Sequence, residues 1–574
     1  MPAPLSASPA PAAAAAKPER EALSWSAGLL WVSLLSAALF FGFLASRPLS
    51  NPDEGRYSEI PREMLATGDF VTPRLDGVKY FEKPPLVYWL NAGAQAVFGP
   101  TEFAARFWVA VFAVAGCALT YGAGRALHGT AAGLASAGVL ATSFLYYALS
   151  RVVLLDLVVT VWIGAALFAF ILAVRRPPGE TRRWLFWAFY ASMALATLTK
   201  GLIGFVLPCG IVGAWLVVAR RWSSLRPLHP VTGGLLFLAI ALPWHVLAAR
   251  ANPEFAQFYF IHEHFQRFAT TVHGRVEPFW FFAPVFLGGL FPWVGFLPSA
   301  TQRAFVTPSQ SPRNDTAWFL GIWIFLIFAF FSVSQSKLIP YLLPVFPAAA
   351  LLLGRHVSEL WMKDARTSAA TRAALGIAAG ILVLLGLALL VAKLPSSAAG
   401  VAAALRPMRV VLALPLLVGA GFCLRYLAKG AFRPAVICLA AGWALFLAPA
   451  NRVGGYLDAR STKTLAAALA PKLQPEDIVY CVGEYFQDFP FYLGRLVDVV
   501  GYEGELAFGI HAEPGRTASR FIGREAFFER WQHGPRSYAL VKRRDAPDWF
   551  SALPQAPAVV AESSRYLLLT NQAR

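Results

Sequence analysis

About thirteen apolar runs of roughly 17–22 residues occupy most of this chain, each long enough to cross a hydrocarbon core of about 30 Å. They fall at 27–46, 104–124, 130–148, 153–174, 184–199, 201–219, 231–249, 279–299, 317–333, 338–354, 373–392, 409–427 and 432–449. Runs of this length predict a polytopic α-helical membrane protein. The stretch 86–98 is shorter and carries Asn91 and Gln95, so it reads as an interfacial helix rather than a span.

Loop charges orient the chain. With Lys17 and Arg20 in the cytoplasm, the even-numbered loops are cationic: Arg125; Arg175, Arg176, Arg182 and Arg183; Arg220, Arg221 and Arg226; Arg303 and Arg313; Arg355, Lys363, Arg366 and Arg372; and Arg425, Lys429 and Arg433. This is the positive-inside pattern, and counting 86–98 as a span would break it from the second loop onward. An odd number of spans then places the tail outside, in the periplasm of a Gram-negative cell. The +18 net charge is therefore a matter of topology and anionic lipid, and no nucleic-acid partner is expected. Cys117, Cys209, Cys423 and Cys438 lie in apolar runs and Cys481 in the tail, which gives neither a disulfide framework nor a CxxC metal site.

The expected organisation has three parts. Residues 1–24, rich in Pro, Ala and Ser, read as a disordered cytoplasmic leader, with 27–46 a retained anchor. Residues 25–450 form a transmembrane domain with external loops at 47–103 and 250–278. Residues 451–574 form a small soluble α/β domain, because β-rich runs such as Ile478-Val479-Tyr480-Cys481-Val482 alternate with helical patterns such as 461–471. The tail shows no nucleotide fingerprint, so no nucleotide or organic cofactor is expected.

On this topology the unusual polar residues gather at one membrane face. The first external loop holds Asp53, Glu54, Arg56, Glu59, Arg62, Lys79, Glu82 and Lys83. Arg151 and Asp156 open the fourth run, Lys200 lies in the turn after the fifth, His262, Glu263, His264, Arg267 and His273 follow the seventh, and Lys337 and Tyr341 follow the ninth. Only 14% of the chain is charged, and ionisable groups beside apolar spans usually mark function. A transporter would place such groups near the midplane; a rim location suits chemistry on a lipid headgroup. Blander readings exist: Asp53, Glu54 and Arg56 as a capping and ion-pair network, and Arg151 with Asp156 as a pair joining two spans. Lys200 and Lys337, in short external turns against the charge bias, read as phosphate ligands. His262 and His264 with Glu82 offer a site for a divalent metal, by weak spacing evidence.

The run NPDEGRYSEIPREMLATGDFVTPRLDGVKYFEKPPLVYWL, residues 51–90, resembles the first periplasmic loop of the aminoarabinose transferases, within the C-type membrane glycosyltransferases that include protein O-mannosyltransferases. Arg151 with Asp156, Leu198-Thr199-Lys200-Gly201, Leu242-Pro243-Trp244-His245, His264-Phe265-Gln266-Arg267-Phe268 and Ser334-Gln335-Ser336-Lys337-Leu338-Ile339-Pro340-Tyr341 match in order. His245 departs from the wider family, where an aromatic is common.

The resemblance implies the C-type glycosyltransferase fold and transfer of 4-amino-4-deoxy-L-arabinose from undecaprenyl phosphate to lipid A phosphates, lowering their negative charge at the outer face of a bacterial inner membrane. It makes Asp53, then Asp156, the catalytic carboxylates. It makes Lys83, Lys200, Lys337 and Tyr341, with Arg56 and Arg267, ligands of the donor phosphate. A zinc, magnesium or manganese ion would sit on Glu82 and His264, with His262 as the alternative. A monomer in the lipid bilayer is expected. A transferase acting on protein hydroxyls or another glycolipid would share nearly every motif.

Overall fold

The computed structural model describes residues 23–266, 277–306, 315–363, 368–391, 405–457, 460–551 and 553–572. The expected leader lies outside them except for Leu23 and Ser24. Each of the apolar runs coincides with helix, but not every helix has spanning length. Among the described residues eight are long and apolar enough to cross a membrane. A ninth arises if Phe282–Gly289 and Val294–Phe305, bent by 105°, count as one. Trp25–Phe41, Thr130–Thr142 and Ile203–Val218 are shorter. Proline accounts for the bend, since Pro292 in the break has no N–H to continue the helix. The 86–98 stretch is a 13-residue helix, Leu86–Phe98, too short to span.

Loop residues 47–103 fold against the bundle. The helix Asp53–Thr67 carries both of its first-turn acids, Asp53 and Glu54, at its N-terminus, where the helix dipole favours negative charge. The two-residue strands Arg74–Leu75 and Val78–Lys79 then pair antiparallel around Asp76-Gly77. Both turn residues have positive φ, +52° and +78°, the geometry for which Asp-Gly is a favoured pair.

The C-terminal domain is α/β, as expected. Strands Ile478–Val482, Asp498–Val500, Phe521–Ile522 and Ser537–Lys542 run parallel, with Ile478–Val482 between Asp498–Val500 and Ser537–Lys542. Tyr566–Thr570 and Ala558–Glu562 extend the sheet antiparallel beyond Ser537–Lys542. Short helices, including Asp488–Leu493 and Arg524–His533, cover the sheet.

This domain docks on the first loop. Asn51 Nδ2 donates to Asp488 Oδ1 (2.5 Å) and Asp488 N donates back to Asn51 Oδ1 (2.9 Å). Gly55 makes the approach possible, since a Cβ there would stand 2.5 Å from Asp488 N. Nearby, the side chains of Glu59, Glu63 and Asp76 are buried beside Asp498. Their counter-charges are Arg62 (2.5 Å from Glu59) and Arg520 (3.0 Å from Asp76, 3.4 Å from Asp498). Burial, only partly offset by Arg520, pushes Asp498 up to about 6. Burial likewise raises Glu59, Glu63 and Asp76. A carboxylate raised in the folded state binds its proton more tightly there than in the unfolded chain, so stability grows as pH falls through about 6. Thermal stability of the detergent-solubilised chain is thus expected to rise from about pH 7.5 to about pH 5.5, and Asp498→Asn to flatten part of that rise. Melting curves across the range check both.

Candidate functional site

A cavity of about 1330 Å³ opens where the first loop, the ends of several helices and the C-terminal domain meet. Its walls include Asp53, Arg56, Glu82, Lys83, Asp156, Lys200, His262 and Tyr341. Residues separated by hundreds of positions in sequence thus converge at one edge of the bundle.

Each wall follows from local structure. Asp53 and Arg56, three residues apart on helix Asp53–Thr67, share a face, with Nη1 3.5 Å from Asp53 Oδ1. The Asp53 side chain is 46% exposed and opens to the cavity. Its neighbour Glu54 points the other way and is fully buried. The Glu54 carboxylate accepts from Arg47 (2.6 and 3.1 Å), Arg106 (2.8 and 2.9 Å) and the backbone N–H groups of Ser50 (3.0 Å) and Val153 (3.1 Å). Burial works to raise its pKa, yet the Arg106 and Arg47 guanidinium groups hold it down at about 2. The capping and ion-pair reading therefore applies to Glu54, while Asp53 faces open space.

Asp156 lies in the first turn of helix Leu155–Arg175 and Lys200 in the last turn of helix Glu180–Lys200. The two pair directly. The Lys200 ammonium also stands over the Tyr341 ring, 4.8 Å from its centroid. Arg151 does not join Asp156: it donates to the carbonyls of Phe40 and Gly42, where helix Trp25–Phe41 ends. A cation there complements the helix dipole. Lys83 donates to the Glu82 carbonyl (2.6 Å) and to Glu263 Oε2 (3.4 Å), and lies 4.0 Å from the Glu82 carboxylate.

Residues 29–259 match the family model for dolichyl-phosphate-mannose-protein mannosyltransferase, and residues 465–571 that for the aminoarabinose transferase C-terminal domain. The crystal structure of ArnT from Cupriavidus metallidurans bound to undecaprenyl phosphate superposes with a TM-score of 0.83 at 31% identity, covering 96% of this chain and 98% of that one. The chain belongs to the aminoarabinose transferase family. Among curated relatives, the undecaprenyl phosphate-alpha-4-amino-4-deoxy-L-arabinose arabinosyl transferase of Edwardsiella ictaluri is 33% identical over 58% of this chain. That of Erwinia tasmaniensis is 35% identical over 62% of it. The matches span 60% and 65% of those relatives' own lengths.

As an aminoarabinose transferase family member the chain is a multi-pass membrane protein with the expected fold, and several residues can be placed more sharply. Lys337, expected at the donor phosphate, is buried and does not line the cavity. Its ammonium donates to the carbonyls of Ser334 (2.8 Å) and Glu277 (3.0 Å), tying its own non-helical turn to a segment 60 residues earlier. Arg267 and His273, and the side chain of His264, lie outside the described residues. Among the described residues no three His, Cys, Asp or Glu side chains are grouped to hold a metal, and Lys83 already lies between Glu82 and Glu263. Among the described side chains, Glu82 and His262 are not joined by a third such group, and the His264 half of the expected ligand set lies outside the described side chains. His245 stacks on Phe260 (centroids 6.0 Å, 26°) and contacts Tyr259 and Phe255. It packs among these rings as an aromatic side chain would.

Two parts of the site escape sequence reasoning. Glu254 and Phe258 enter from the segment after helix Pro230–Ala251, and Glu505, Phe508 and His511 from the C-terminal domain. Glu505 pairs with Arg56 at 2.5 Å. Nothing in Gly504-Glu505-Leu506 has the spacing of a motif, so only the tertiary structure reveals it.

Proposed function

We propose that the chain transfers 4-amino-4-deoxy-L-arabinose from undecaprenyl phosphate to phosphate groups of lipid A, at the periplasmic face of a bacterial inner membrane. The observation that carries this reading is a rim cavity, in an aminoarabinose transferase fold, that presents cations and an open carboxylate together. The solved relative bound to undecaprenyl phosphate supports a polyprenyl phosphate donor. The curated relatives' names support the sugar.

In the reaction an oxygen of the acceptor phosphate bonds to the sugar's anomeric carbon as the bond from that carbon to the donor phosphate breaks. Undecaprenyl phosphate departs with the bonding pair and one more negative charge. Lys83 and Lys200 are placed to meet that charge, an electrostatic contribution that is often the largest catalytic one. Tyr341 supports Lys200 from one side and Asp156 from another. Asp53 orients the acceptor and takes up a remaining phosphate proton. Lys200→Ala is expected to lower the rate by about 10²-fold. Asp156→Asn in that background should add little, since the two groups act as a pair. Initial rates of the single and double variants check this.

The match of residues 29–259 to a protein mannosyltransferase pattern favours a second reading, transfer to protein hydroxyls; the C-terminal match favours the aminoarabinose transferase reading. Competition decides: the purified chain with its aminoarabinose donor should glycosylate lipid A and leave a Ser/Thr-rich peptide unmodified. Glycosylated peptide with unmodified lipid A would reverse the assignment.

A further inference from the structure

The C-terminal domain contributes residues 504–512 to the cavity wall, and their seat is close-packed. A Cβ on Gly509 would stand 2.4 Å from the Lys79 carbonyl oxygen, and the Phe508 ring stacks on Phe258 with centroids 3.8 Å apart. From this segment Glu505 reaches the first loop. Its carboxylate accepts from Gln487 Nε2 (2.6 Å) and pairs with Arg56 Nη2 (2.5 Å). The other end of the guanidinium, Nη1, lies 3.5 Å from Asp53, and the Tyr57 and Tyr80 rings flank it at 5.7 and 5.8 Å. Arg56 and Glu505 are each only 11% exposed in their side chains, against 46% for Asp53. A connected series thus runs from the interior of the C-terminal domain to Asp53, its more exposed carboxylate at the cavity wall.

We propose that Glu505 is a positioning residue: it fixes the Arg56 guanidinium and, through it, the orientation of Asp53, so that the C-terminal domain completes the active site. The proposal rests on the reaction assigned above. An arginine presents its donors in a rigid planar fork, so holding one nitrogen fixes the direction of the other. An exposed aspartate beside an unheld arginine would sample several rotamers, and a misplacement of about 1 Å can cost about 10² in rate. In the assigned reaction Lys83 and Lys200 meet the donor phosphate. Arg56, expected from the resemblance at that phosphate, is engaged by Glu505 and Asp53, so donor binding is expected to survive the loss of Glu505.

The test uses the purified full-length chain and its Glu505→Gln, Glu505→Asp, Arg56→Ala and Arg56→Ala/Glu505→Gln variants. Steady-state kinetics with the aminoarabinose donor and lipid A are combined with direct binding of undecaprenyl phosphate and melting curves. Glu505→Gln is expected to lower kcat by about 10–10²-fold, with donor KM and undecaprenyl phosphate Kd within about threefold of wild type. Glu505→Asp should recover part of the loss, and Glu505→Gln should cost nothing further once Arg56 is alanine. Unchanged kcat in Glu505→Gln would overturn the proposal. So would a loss of kcat that matches a loss of undecaprenyl phosphate binding and of melting temperature, or full additivity with Arg56→Ala. A wild-type chain that binds undecaprenyl phosphate but transfers no sugar would instead overturn the assigned reaction, and this proposal with it.

Discussion

Asp53→Asn is expected to lower sugar transfer by roughly 10²–10⁴-fold, the range for loss of a positioned acid–base group, while the protein still inserts, melts normally and binds undecaprenyl phosphate. The expectation follows from where the side chain sits. It is half-exposed at the cavity wall, its ion pair among the described residues is a 3.5 Å contact to Arg56, and pairs of that kind contribute about 0–1 kcal/mol. Asparagine keeps the volume but loses the charge and accepts no proton. Initial rates, melting curves and equilibrium binding on one preparation separate these effects. Retained transfer would remove Asp53 from the mechanism, and a loss of undecaprenyl phosphate binding that matches the loss of rate would make it a donor-binding group.

Glu54→Ala, one residue away, is expected to do the reverse. Glu54 lies fully buried between Arg47 and Arg106. Removing it leaves two guanidinium groups without their counter-charge, where breaking a buried pair typically costs about 3–5 kcal/mol. The backbone N–H groups of Ser50 and Val153 lose their acceptor as well. The variant should melt far below wild type or fail to accumulate in the membrane, with activity lost in proportion to folded protein. Because Glu54 is held at about 2, well below its ordinary 4.5, its stabilisation is complete above pH 4.5 and fades only as pH falls toward 2. Melting temperature and membrane abundance of the two variants, read side by side, check the contrast. A Glu54→Ala protein as stable as wild type would contradict it.

The contrast between Asp53 and Glu54 also shows what the sequence could and could not reveal. Apolar run length made the helices legible, because the bilayer sets a length that each span must meet. Loop charge placed the polar clusters on one face, and the cavity gathers most of them. Sequence spacing does not say which of two adjacent acids faces a cavity; that depends on Arg106, 52 residues further along the chain. Lys337 illustrates the same limit. A lysine in a short external turn looks like a phosphate ligand, yet its ammonium is held by the carbonyls of Ser334 and Glu277. The bend between Gly289 and Val294 shortens what run length alone reads as a span. Glu505 was invisible because its function comes from a contact with Arg56, hundreds of residues away, and from no local pattern.

The most direct test of the central claim is mass spectrometry of lipid A from cells that make the aminoarabinose donor but lack any enzyme that uses it, with and without this chain. The account predicts lipid A species heavier by one aminoarabinose residue when the wild-type chain is present, and none with Asp53→Asn at equal membrane abundance. Unmodified lipid A with properly inserted wild-type protein would contradict it.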